Sequence, residues 1–121
     1  MKILLCEDDC VVRMIVSTLL EAVGDQVEFA SDGQDAFEII QDYPHFFDVL
    51  ITDNIMPRLT GVKLVEKLRE VNLPIIVILM TVFANKPNTV MHQCPWFNEL
   101  LIKPFKANDL LRCVENCGSG V

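Results

Sequence analysis

The sequence predicts an α/β fold on a parallel sheet. Short apolar runs alternate with segments of helical period along the chain. Two of the runs, VLIT (49–52) and PIIVILMT (74–81), lack polar alternation, as strands covered on both faces require. No linker, repeat or low-complexity tract breaks the pattern.

In order, KILLCE (2–7) reads as the first strand. In the segment after it Val12, Ile15, Leu19 and Ala22 recur at helical spacing, and Gly24 offers a stop. QVEFA (26–30) alternates weakly like an outer strand; Ser31 or Asp32 can cap the next helix, whose buried stripe is Ala36, Phe37 and Ile40. Tyr43 and Pro44 end that helix. VLIT is a central strand, and TGVKLVEKLREV turns Val65, Leu68 and Val71 inward with Lys63, Glu66, Lys67, Arg69 and Glu70 outward. PIIVILMT and ELLIKPF (99–105) supply strands four and five, and Leu110, Leu111 and Val114 mark a last helix ended by Gly118. The expectation is five strands and about five helices, the fourth helix short or irregular because Pro87 and Pro95 bracket it.

A chain of 121 residues, 51% of them hydrophobic, fits one domain (1–121) with a real core. The net charge of −7 argues against nucleic-acid or anionic-membrane binding, which needs clustered Lys and Arg. No charged n-region precedes a long apolar stretch, and no apolar run approaches the ~18 residues of a membrane span. The expected location is the cytoplasm. Five cysteines, an odd number without framework spacing, suit a reducing compartment. Cys113 and Cys117 with His92 and Cys94 lack the paired modules of structural zinc, so the cysteines are read as small hydrophobes, and Met14, Met56, Met80 and Met91 as core filler.

Ligands of an open parallel sheet bind at the carboxyl ends of its strands. Those ends carry Glu7, Asp8 and Asp9, then Asp53, Thr81 and Lys103, which would meet if strands one, three, four and five are neighbours. Carboxylates gathered at a half-buried site repel one another unless protons or a cation intervene, and an all-oxygen set suits Mg2+. A carboxylate can itself attack phosphorus, with Lys103 and Thr81 stabilising the equatorial oxygens; Asp53 is the candidate nucleophile. Taken singly, each residue has an ordinary explanation: solvated turn carboxylates, a strand-end hydroxyl, a surface lysine. Asp9 is better read as a helix N-cap and is left out. Their convergence on one sheet edge favours the functional reading.

At these spacings ILLCEDD, ITDNIMPRLTG, LMT and LLIKPF resemble the receiver domains of two-component response regulators, chemotaxis type included, over essentially the whole chain. The resemblance implies a doubly wound five-stranded sheet of order 2-1-3-4-5, a flavodoxin-like three-layer sandwich. It also implies phosphoryl transfer from a histidine kinase or phosphotransfer protein to Asp53. Glu7, Asp8, Asp53 and the backbone carbonyl of Ile55 match the Mg2+ ligands, Thr81 the hydroxyl that moves toward the phosphoryl group, Lys103 the lysine that pairs with it, and the Val82 backbone N–H a hydrogen-bond donor to a phosphoryl oxygen. Lys103-Pro104 matches the family's cis peptide, and Pro57 and Gly61 the turn into the third helix. Further partners implied are a downstream protein or output domain and, since receivers often pair through their fourth and fifth strands and last helix, a homodimer. The chain is either a stand-alone regulator or an excised receiver.

Three departures stand out. Leu100 replaces the usual Tyr or Phe switch, Val82 adds bulk where Ala or Gly is usual, and the fourth helix region holds Pro87, Pro95, Trp96 and Phe97. Phe83, Trp96 or Phe97 is the candidate replacement switch, and Ile55 with Phe83 a candidate barrier to attacking water. The competing reading is a phosphorylation-independent pseudo-receiver. A phosphatase is disfavoured because Ile55 stands where such enzymes need a second carboxylate.

Overall fold

The computed structural model describes residues 1–54, 59–81 and 97–119. Among them five strands and four helices follow one another: β1 (Lys2–Cys6), α1 (Cys10–Ala22), β2 (Gln26–Ala30), α2 (Gly33–Asp42), β3 (Val49–Asp53), α3 (Gly61–Glu70), β4 (Ile76–Thr81), β5 (Glu99–Ile102) and α4 (Ala107–Ser119). The irregular helix expected between the last two strands lies outside the described residues. No helix among the described residues is long and apolar enough to cross a membrane.

All strands are parallel and the order is β2-β1-β3-β4-β5. After β2 the chain returns to the other side of β1, so winding reverses between β1 and β3. Val49, Leu50 and Ile51 are wholly buried. Their alternate side chains feed two cores: Leu4, Leu50, Val77 and Leu79 pack with Phe37, Ile40, Val65 and Leu68 of α2 and α3, whereas Ile3, Leu5, Ile51, Ile78 and Met80 pack with Val16 and Leu20 of α1 and Leu110 and Val114 of α4. At roughly 1.5–3 kcal/mol for each large aliphatic side chain removed from water, these two layers hold the sheet in register.

Helix ends follow from local chemistry. Asp9 Oδ1 accepts from the amides of Val11 and Val12, Asp32 from Asp35, and Thr60 from Lys63. Gly24, at φ +95°, closes α1: its amide donates to Glu21 and that of Asp25 to Leu20. Asn72, at φ 60°, ends α3 in the same way, with Leu73 donating to Leu68.

Several sequence expectations are corrected. The buried face of α1 is Val16, Ser17 and Leu20, with Val12 and Leu19 only partly buried and Ile15 exposed. The apolar face of this helix is wider than its contact with the sheet, with Val11, Met14 and Ile15 left exposed and Ser17 of the polar stripe buried, so periodicity alone misplaces the centre of the buried face. Met14 is 69% exposed rather than core filler, whereas Met80 is buried; Met56 and Met91 lie outside the described residues. Val71 caps α3 and is exposed, and α4 runs past Gly118 to Ser119. Cys6 and Cys117 are buried as small hydrophobes, but Cys10 is exposed; Cys94 lies outside the described residues.

Gly61 opens α3 directly against the end of β3. A Cβ there would stand 2.6 Å from the Asp53 carbonyl oxygen and 2.9 Å from both Asn54 Cα and Leu79 Cδ1. Gly61→Ala is therefore expected to lower unfolding free energy by about 1–3 kcal/mol, the scale of overpacking. An unchanged urea midpoint would show that this junction yields.

Candidate functional site

Strand register assembles the site. Cys6 lies beside Thr52, Asp53 beside Met80, and Thr81 beside Ile102, so the residues that follow these strands emerge at one edge. Glu7, just past β1, is only 1% exposed. Lys103, just past β5, reaches it: Nζ stands 2.9 Å from Glu7 Oε2 and 3.3 Å from Asp53 Oδ2. The Lys103-Pro104 peptide is cis. Carboxylate oxygens of Glu7, Asp8 and Asp53 all lie within 4.8 Å of one another.

One ammonium thus pairs with two of three clustered carboxylates. Burial pushes the Glu7 carboxyl up, and the negative charge of Asp53 adds to this, while the Lys103 hydrogen bond and the Asp9 amide, donating to Oε1 at 3.2 Å, act the other way without cancelling it. Burial would lower the Lys103 ammonium, but its hydrogen bond to Glu7 and the charges of Asp53 and Glu7 outweigh that and hold it above its usual value. Excess negative charge and oxygen-only donors make the cluster a fitting seat for a hard divalent cation.

The backbone holds Asp53 at this edge. Its neighbour Asn54 donates its amide to the Met80 carbonyl, accepts the Gly61 amide on its carbonyl at 2.9 Å, and accepts the Val62 amide on Oδ1 at 3.2 Å. The Thr52 hydroxyl donates to the Asp53 carbonyl. Asn54 was missed by sequence reasoning; an Asn between a strand-end carboxylate and a glycine-led helix is the signal that could have found it.

The structure therefore brings together Glu7, Asp8, Asp53 and Lys103. Thr81, 4% exposed, follows the Met80 that pairs with Asp53, which puts its backbone at the same edge. Asp9, excluded as a ligand, is an N-cap. Leu100 and Phe97 pack, partly buried, against the core beneath α2 and α3. Ile55, Pro57, Val82, Phe83 and Trp96 lie outside the described residues.

An open parallel sheet carries this acidic cluster and lysine at its carboxyl edge, and comparison with known proteins gives the family. Residues 3–115 match the family model described as response regulator receiver domain. The chain belongs to that family and is a receiver domain of two-component systems. It is 32% identical over 114 residues to the response regulator receiver protein CpdR of Brucella abortus, covering 94% of this chain and 93% of that one. Against PRR73 of Oryza sativa subsp. japonica, a two-component response regulator-like protein, identity is 30% over 99% of this chain but only 17% of the relative. The structure of chemotaxis response regulator CheY4 of Vibrio cholerae superposes with a TM-score of 0.85 at 28% identity, covering 96% of this chain and 97% of that one.

Because burial raises the Glu7 carboxyl, the folded chain binds its proton more tightly than the unfolded chain does. The cation-free protein should therefore lose stability, relative to Glu7→Gln, as pH rises from the ordinary value of 4.5 through the raised folded value. Urea unfolding of both proteins across that interval checks the sign; parallel curves would refute it.

Proposed function

We propose that Asp53 is a phosphoacceptor and that residues 1–121 act as one receiver domain in the cytoplasm. The observation that carries this reading is the placement of Lys103 Nζ against both Glu7 and Asp53 within a three-carboxylate cluster. An Asp53 carboxylate oxygen attacks the phosphorus of a phosphohistidine on a histidine kinase or phosphotransfer protein. The new O–P bond forms as the N–P bond breaks, and the electron pair stays with the imidazole.

Lys103, paired with both Glu7 and Asp53, is the cation beside the transferred phosphoryl oxygens. The buried Thr81 hydroxyl and the Val82 backbone N–H are the further donors. Glu7, Asp8 and Asp53, with the Ile55 carbonyl, would hold Mg2+, which supplies charge neutralisation at the phosphoryl oxygens. The chain's only chemistry is then its own phosphorylation and dephosphorylation, and the modified state acts on a downstream protein or output domain.

With Mg2+ and acetyl phosphate, the protein should gain one phosphoryl group by intact mass, and beryllium fluoride should perturb the amides around Asp53. Asp53→Asn should abolish both, and Lys103→Ala should weaken them. Absence of any Mg2+-dependent response in the native chain would favour the phosphorylation-independent pseudo-receiver.

A further inference from the structure

Among the described residues the sheet has two outer strands, and β2 pairs only with β1. Gln26 donates its amide to the Met1 carbonyl at 2.9 Å, so the period of two turns the amides of Val27 and Phe29 away from β1, along the open edge. Outer strands are usually protected by proline, lysine or a bulge, yet QVEFA contains neither proline nor lysine and pairs in unbroken register. Phe29 is 47% exposed on the α1 side, where the Arg13 guanidinium stands 5.8 Å from its ring centre. On the other face, beside Glu28, a cleft of about 280 Å3 opens between Leu4, Ile39, Tyr43, Phe46 and Phe47.

Charge selects what can pair there. Residues 25–35 include four carboxylates and no Lys or Arg. Asp25 binds the N-terminal ammonium, Asp32 caps α2, and Asp35 accepts from Ser31, which leaves Glu28 as the exposed carboxylate on the strand itself. A second copy of this chain is a poor partner, since antiparallel pairing centred on β2 sets Glu28 opposite Glu28. A strand with Lys or Arg at that position gains an ion pair and can lay its aliphatic stem across the apolar cleft. The Phe46 ring already carries an ammonium, with Lys2 Nζ 4.4 Å from its centre.

We propose that the open edge of β2 receives an extended basic segment of a partner protein as a sixth strand, with a Lys or Arg against Glu28 and an apolar side chain over Phe29. Main-chain bonds to Val27 and Phe29 provide the pairing, and the two faces provide selectivity. This surface lies along the side of the sheet, apart from the carboxyl edge that holds Asp53.

The probe is a capped peptide, Lys-Thr-Val-Lys-Val-Thr-Lys, titrated into the full chain with Mg2+ present and followed by amide spectra. Shifts should concentrate at residues 26–30, with slowed exchange at Val27 and Phe29. Glu28→Gln should weaken binding, and Glu28→Lys should weaken it by about fivefold or more. The same peptide with Glu for every Lys should bind Glu28→Lys better than the native chain. Shifts confined to residues 7–9 and 53, equal binding of both peptides to the native chain, or dimerisation of the free chain through β2 would each overturn the proposal.

Discussion

A single ammonium set between two carboxylates, one of them almost wholly out of water, is the interaction around which this molecule is arranged. Glu7, 1% exposed, meets the Lys103 ammonium, which arrives from the opposite end of the sequence. That pairing requires β1, β3, β4 and β5 to be neighbours and to end level. The apolar sheet beneath is therefore as much a part of the site as the charges above it. Since one cation does not balance three carboxylates, the same arrangement leaves room in charge, as well as in oxygen donors, for a divalent ion.

The stiffness of this edge comes from short-range backbone devices. Asn54 uses its amide, carbonyl and side chain to bind β4 and the first turn of α3 at once, and the missing Cβ of Gly61 lets that turn touch the end of β3. At the far end of α3, Arg69 donates to the Leu73 carbonyl, while Asn98 Oδ1 accepts the Val77 amide at 2.9 Å. The contacts of Asn54 and Gly61 hold the Asp53 carboxylate in place at the sheet edge.

The chain's negative charge is unevenly used. At the site it is concentrated and partly desolvated, where it has chemical consequences; around β2 it is mostly consumed by caps and the N-terminal ammonium, with Glu28 left on an open strand. The two regions lie on different parts of the sheet, one at the carboxyl ends and one along the side.

Much of this was legible in the residues themselves. The unalternated runs at 49–52 and 74–81 announce doubly covered strands, and Asp9, Asp32 and Gly24 announce helix ends, because burial and capping are local demands that leave local marks. The positions of Glu7, Asp8, Asp53 and Lys103 at strand ends could be read, but not their distances. The buried face of α1, the exposure of Met14 and Cys10, and the bridging role of Asn54 were decided by the tertiary structure. An apolar face wider than the contact it makes does not mark which part of it meets the sheet, and a hydrogen bond between chain segments depends on register, which exists only once β3 and β4 have paired.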